Sequence, residues 1–386
     1  MHKVYADYAA TSKHKPPEVW EAMEHYLKEI GTSPGRGGYS LGLEADRIIF
    51  SARQKITRLF NGDKQNNVFF SLNVTHALNS VLKGFLKKGD HVVTSSMEHN
   101  AVARPLKALE DSGIIELTMV QCTKEGLLPL DKFEKAIRPD TRMIVITHAS
   151  NVTGTIMPVK EVGEIAASKG IFYVVDCAQT AGVLPIDSKE IKADVLAFTG
   201  HKGLLGPQGT GGCYLSERAV QEIFTTVHGG TGSKSDLLTH PDFMPDKFES
   251  GTPNTMGIAG LNAALDWILR RGVHDIRAHE EKLTRLFLKG LQELSDKVII
   301  YGPQDAAQQT STVSINMEGY DAGEVSFILD RIYGIMTRSG LHCAPCAHQT
   351  IESFPEGTLR FSFGIFSTAE EVEYILDSLG DILAQK

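Results

Sequence analysis

Between Asn67 and Ser216 the chain alternates short, almost wholly apolar runs with segments of helical spacing. The runs are NNVFFSL, DHVVTSSM, IIELTMVQC, RMIVITHAS, IFYVVDCAQ, ADVLAFTG and GGCYLS. Continuous Val/Ile/Phe runs of this length predict strands buried on both faces, with helices as the crossovers between them. One crossover is predicted from Thr75 to about Leu86, where Ala77, Leu78, Val81, Leu82 and Phe85 fall on one helical face. The expected centre is therefore a mostly parallel α/β sheet. A Gly/Pro-rich stretch from His228 to Pro253 precedes one long helical block, from about Thr255 to Asp296, that bridges to a second unit. There TVSINM and TLRFSF read as strands, and a final helix starts at Ala369. Asp321 and Glu324 read as a capping pair opening a helix with Val325, Ile328, Leu329 and Ile332 on one face.

Length and charge narrow the picture. At 386 residues and 42% hydrophobic the chain exceeds the size at which a single core keeps growing, so a large domain with a smaller companion is expected. The boundaries expected are 15–255 for the large domain and 256–386, joined by about 1–14, for the small one. A net charge of -8 with both signs interspersed argues against nucleic acid as a partner. The start, MHKVYADYAATSK, lacks an apolar leader run, and no stretch reaches the roughly 18 to 20 apolar residues of a membrane span. A soluble cytoplasmic protein without membrane contact is expected. Five scattered cysteines are too few for a disulfide scaffold, which in a reducing compartment turns attention to catalysis.

Candidate chemistry concentrates at predicted strand ends. In AFTGHKGLLGPQGTGG, Lys202 lies just past a strand among glycines, where open α/β sheets place ligand sites. Such a lysine can form a Schiff base with an aldehyde cofactor, and a lowered pKa would let it serve again as a base. Asp176 ends another buried strand, where a carboxylate is costly unless it meets a cation; a protonated pyridine nitrogen is such a cation. Thr75 and His76 stand at a helix start, whose free N–H groups suit a phosphate.

These segments, together with MEHNAV at 97–102, ASNVTGT at 149–155, ESGTPNT at 249–255 and TRSGLHCAP at 337–345, resemble the class V aminotransferase family. The resemblance is to its Suf-type cysteine desulfurase and selenocysteine lyase branch, and runs from YADYAAT to TLRFSFG. It implies a homodimeric pyridoxal 5'-phosphate enzyme of fold-type I, an α/β large domain with a smaller α+β C-terminal domain. It makes Lys202 the Schiff-base lysine, Asp176 the partner of the pyridine nitrogen, Gln179 a hydrogen-bond partner of the phenolic oxygen and His99 the side chain stacked on the ring. Thr75, Thr199 and His201 match phosphate ligands, with His76 beside them, and Gly251 and Thr252 match a segment that reaches a neighbouring subunit's phosphate. Asn151 and Arg360 match the groups that hold the substrate carboxylate, and Arg36 matches an arginine entering from the other subunit.

The same resemblance makes Cys343 the nucleophile that takes sulfur from L-cysteine as a persulfide, with alanine released and the sulfur passed on to an acceptor protein or thiol. The residues agree, since Gly and Pro around Cys343 mark a loop while Arg338 and His342 supply groups that favour a thiolate. Selenocysteine lyase, and an aminotransferase or lyase acting on another amino acid, are the alternatives. Cys346 stands near enough in sequence to be a second thiol that handles sulfur. HGGTGSKS at 228–235 is not a P-loop, since His228 and Ser233 stand where glycines are required. His342, Cys343, Cys346 and His348 are too closely spaced to close a zinc tetrahedron, so no metal is expected. Leu341, Cys177, Gly35 and Tyr39 depart from the commoner family pattern around the substrate.

Overall fold

The computed structural model describes residues 3–35, 38–294 and 296–385. In chain order its strands are β1 (Val4–Tyr5), β2 (Val68–Ser71), β3 (Asp90–Ser95), β4 (Ile115–Val120), β5 (Thr141–Thr147), β6 (Phe172–Asp176), β7 (Val195–Thr199) and β8 (Gly211–Leu215). They continue as β9 (Val298–Tyr301), β10 (Thr312–Met317), β11 (Ile335–Met336), β12 (Arg338–Gly340) and β13 (Thr358–Ser362). The seven apolar runs all become strands of one sheet, ordered β2-β8-β7-β6-β5-β3-β4. From β7 to β4 every neighbour is parallel, whereas β8 runs antiparallel to both β7 and β2. A Gly-rich turn rather than a helix joins β7 to β8, so the chain can return directly beside the strand it has left.

The runs are continuously apolar because both faces of the sheet are covered. Ile144, Ile146, Tyr173 and Val175 enter the core on one face, and Met143, Val145, Phe172 and Val174 enter the core on the other. The first crossover helix is Val74–Phe85, with Asn73 accepting the His76 N–H as its cap. The long helical block is two helices, Thr255–Arg271 and Val273–Leu294, broken at Gly272 with φ 87°. The core changes hands at that break. Ile258, Leu261, Leu265 and Ile268 pack with the large sheet, while Leu283, Phe287, Leu288 and Leu291 pack with β10, β13 and the final helix, Ala369–Ala384.

The smaller sheet, β12-β13-β10-β9, is antiparallel. Beside it Asp321 caps the helix Ala322–Ile328 through the N–H groups of Gly323 and Glu324, so Glu324 contributes its backbone and not a returning carboxylate. A π-helical turn, Leu329–Tyr333, then adds a residue to the helical register. Val325 and Leu329 stay buried, but Ile332 is rotated to the surface instead of joining their face. The N-terminal segment straps the two units together. β1 pairs with β11, Ser362 N–H donates to the Ala6 carbonyl, and Ser12 N–H donates to the His201 carbonyl. No helix among the described residues is long and apolar enough to cross a membrane.

Candidate active site

Parallel strands deliver their last residues to one edge, and there β6 ends in Asp176 and β7 in Thr199. Lys202 follows in the turn between β7 and β8. That turn sits hard against the loop after Asp176: a Cβ on Gly182 (φ +83°) would come within 2.4 Å of the Gly203 carbonyl, so only glycine lets the Lys202 and Gln179 segments approach this closely. The Lys202 amine is shielded from water, and this burial pulls its pKa down to about 8. Asp176 opposes the shift, Arg360 and Arg338 add to it, and Cys343 opposes it, so these four groups all act on one nitrogen.

Asp176 is itself buried, its carboxyl pushed up by burial and held back by the Ala178 N–H at 2.9 Å and by Lys202. Glu98, to which the sequence pattern assigns no role, lies near enough for the Asp176 charge to act on it. Glu98 Oε1 accepts from Ser95 Oγ at 2.6 Å and from Thr147 N–H at 3.0 Å, and burial pushes its carboxyl up to about 8, with the Asp176 charge adding to the effect. His99 caps the helix Asn100–Asp111, its Nδ1 accepting the Ala101 N–H at 3.0 Å, which leaves the proton on Nε2. Burial, followed by the charges of Lys202, Arg338 and Arg360, takes its pKa down to about 4. It is a neutral imidazole at neutral pH. Gln179 Nε2 donates to the Ala9 carbonyl at 3.1 Å.

The candidate phosphate groups divide by burial. Thr75 and His76 are exposed at the start of their helix, and the Thr199 hydroxyl is buried without a partner. His201 Nδ1 meets Thr11 Oγ1 at 3.1 Å, and burial lowers this imidazole to about 4. Gly251 and Thr252 are exposed and, with His76 and Thr210, line a cavity of about 240 Å³.

On the small-domain side Arg360, on β13, is 1% exposed. Its Nη2 donates to Asp7 Oδ1 at 2.5 Å and its Nη1 to the Asn151 carbonyl at 3.0 Å, while Nε has no partner. Asp7 was not foreseen; the signal was an acid within the otherwise small and aromatic run YADYAAT. Asn151 Nδ2 donates to the His342 carbonyl at 2.7 Å. Arg36 lies outside the described residues.

Cys343 is the exposed thiol of the five; Cys122, Cys177 and Cys213 are buried and pushed up by burial, and Cys346 is half-buried and also raised. It does not sit in an open loop. It stands in a tight turn between β12 and the helix Pro345–Thr350, with His342 at φ 47° and Cys343 at φ 59°. Arg338 Nη2 lies 3.9 Å from Cys343 Sγ, so the arginine read from the sequence is beside the thiol. His342 is not. Its ring faces inward, Nε2 bonded to Thr358 at 3.1 Å, and burial drives its pKa down to about 2, so it brings no charge to the sulfur. In register, Arg338 stands opposite Arg360 across β12 and β13, a like-charge pairing that a sheet does not favour unless anions come to it.

A pyridoxal phosphate fits this chemistry. The site offers a shielded amine of lowered pKa, a buried carboxylate short of a cation, an unpartnered buried hydroxyl at a strand end and a helix start with Thr75 and His76 exposed on it. Residues 4–375 match the aminotransferase class-V family. A protein of Methanothermobacter thermautotrophicus named "Probable cysteine desulfurase" is 36% identical over 98% of this chain and 94% of its own length. The cysteine desulfurase of Haloferax volcanii is 31% identical over 97% and 88%. Among solved structures, the apo cysteine desulfurase of Thermococcus onnurineus superposes with a TM-score of 0.93 at 33% identity, covering 100% of this chain and 95% of that one.

The large, mostly parallel sheet with its C-terminal α+β companion is thus the fold-type I architecture of pyridoxal-phosphate enzymes. The chain belongs to the class V aminotransferase family. Within it, the relatives and the superposition put the chain on the cysteine desulfurase branch.

Proposed function

We propose that this enzyme is a cysteine desulfurase that converts L-cysteine to L-alanine and holds the released sulfur as a persulfide on Cys343. The observation that carries the reading is the exposed Cys343 thiol, with the Arg338 guanidinium 3.9 Å from its sulfur. Pyridoxal phosphate, held by Lys202, supplies the electron sink that makes the substrate's α-proton and sulfur labile. Asp176 supports the pyridinium charge, Gln179 the phenolic oxygen, and neutral His99 offers its flat ring to the cofactor. Thr75, His76, Thr199 and His201 take the phosphate, with Gly251 and Thr252 contributed across a homodimer, and Arg36 entering from the partner.

Arg360 receives the substrate carboxylate. Its free Nε supports this role, because a planar guanidinium can present that edge to an anion while Asp7 and the Asn151 carbonyl hold the remainder. Lys202, once free, takes the α-proton, for which a pKa near 8 is well matched to neutral pH. Cys343 then attacks the substrate sulfur. An S–S bond forms as the Cβ–S bond breaks, the electron pair goes to the carbon skeleton, and two protons, one returned by Lys202, complete alanine. L-cysteine plus enzyme thiol thereby gives L-alanine plus enzyme persulfide, with no outside oxidant. An acceptor protein or thiol removes the sulfur. Incubating purified protein with L-cysteine should yield alanine and enzyme-bound sulfane sulfur in step. A keto acid without sulfane sulfur would instead mark an aminotransferase, and strong preference for selenocysteine in competition would mark the lyase.

A further inference from the structure

The turn that carries Cys343 is strained. Two consecutive non-glycine residues, His342 and Cys343, lie in the left-handed region, which costs free energy at each and persists only where the surroundings hold it. The restraints are on both sides of the thiol. Asn151 Nδ2 donates to the His342 carbonyl at 2.7 Å, Asn100 N–H donates to the Cys343 carbonyl at 2.9 Å, the His342 ring bonds Thr358, and Ala344 N–H closes the turn on the Leu341 carbonyl. Asn151 is distinctive among these because its backbone carbonyl also receives Arg360 Nη1 at 3.0 Å. One buried residue therefore touches both the arginine opposite the substrate carboxylate and the turn that presents the thiol.

We propose that Asn151 is a positioning residue for sulfur transfer: its side-chain amide holds the left-handed turn that aims Cys343, and its carbonyl fixes that turn relative to Arg360. This deepens the desulfurase reading and rests on Cys343 as the sulfur acceptor. It stands beside a role for the Asn151 side chain as a carboxylate ligand, because the amide carries two N–H donors and the His342 carbonyl takes one of them. Strain is maintained in the resting enzyme so that the thiol does not search for its position at each turnover. Asn151 thereby joins the carboxylate anchor to the turn that presents the attacking sulfur.

The two roles separate in kinetics. Asn151→Ala deletes the amide but leaves the carbonyl on Arg360, so kcat for alanine should fall roughly 10- to 100-fold, the size expected when one buried hydrogen bond is lost, while the cofactor's spectral response to saturating L-cysteine is retained. Hydrogen–deuterium exchange at residues 341–346 should rise in the same variant, with the cofactor's visible absorption retained. Thr358→Val, which removes the hydroxyl partner of His342, should move kcat and exchange in the same direction by less, and serves if Asn151→Ala does not fold. A raised KM with kcat preserved would overturn the proposal, as would unchanged exchange in both variants. The exchange measurement needs no turnover. It therefore judges the turn even if Cys343→Ser, run in parallel, keeps forming alanine and so removes the desulfurase reading instead.

Discussion

The ESGTP segment that carries Gly251 and Thr252 hangs on one buried ion pair. Glu249 Oε2 accepts from Arg53 Nη2 at 2.5 Å and Oε1 accepts from the Phe70 N–H at 2.7 Å; the two side chains are only 11% and 16% exposed. Burial pushes the Glu249 carboxyl up, and Arg53 is the main force opposing that shift. Glu249→Ala would strand the Arg53 charge and leave a β2 amide unmet, so a loss of about 4 kcal/mol is expected from the ~3 to 5 kcal/mol typical of a broken buried pair. Arg53→Ala should cost nearer ~3 kcal/mol, because the abandoned carboxyl can take up a proton. The double variant should fall short of the sum by ~2 kcal/mol or more. Urea unfolding of the three proteins, with cofactor affinity measured alongside, reads all of this. Additivity within ~0.5 kcal/mol, or normal cofactor affinity in Glu249→Ala, would refute the claim that this pair sets the segment in place.

Two further outcomes follow from buried groups. Lys202→Ala should abolish the borohydride-trappable link to cofactor, and trapping at another lysine would show that the strand-end assignment is wrong. Glu280, fully buried against Ser311 Oγ at 3.0 Å, has its carboxyl raised to about 8 by burial. The folded state therefore keeps a proton that the unfolded chain releases, so the stability it contributes is full below the ordinary carboxyl pKa and is lost as pH rises toward 8. Glu280→Gln should stabilise the protein at pH 8 relative to wild type and change little at pH 4; equal effects at both would contradict the direction of this shift.

The parallel sheet was legible because strands buried on both faces leave unbroken apolar runs, and the lysine and aspartate were legible because they follow those runs directly. The antiparallel course of β8 was not, since GGCYLS has the same apolar character whichever way it runs. Ile332 was read onto an inward face that a π-helical turn rotates outward, and periodicity counted at a fixed residues-per-turn value cannot register an inserted residue. Gly272 divides a helical block whose apolar spacing is continuous across it. In the site, His342 and Arg338 looked equivalent around Cys343. Only the left-handed backbone at 342 and 343 sends one ring into the interior and leaves the other side chain on the sulfur. Asp7 and Glu98 reach the site through long-range packing, which a linear pattern does not encode.

The central claim is that sulfur from L-cysteine passes to Cys343. The most direct measurement is mass spectrometry of the intact protein and its Cys343 peptide after brief exposure of the holoenzyme to L-cysteine, for wild type and Cys343→Ser. Wild type should gain the mass of one sulfur atom at Cys343 together with an equivalent of alanine. Cys343→Ser should keep its cofactor absorption and its spectral response to L-cysteine, carry no added sulfur, and form alanine slower by orders of magnitude. Sulfur found on another residue, or near-normal alanine formation by Cys343→Ser, would contradict the account.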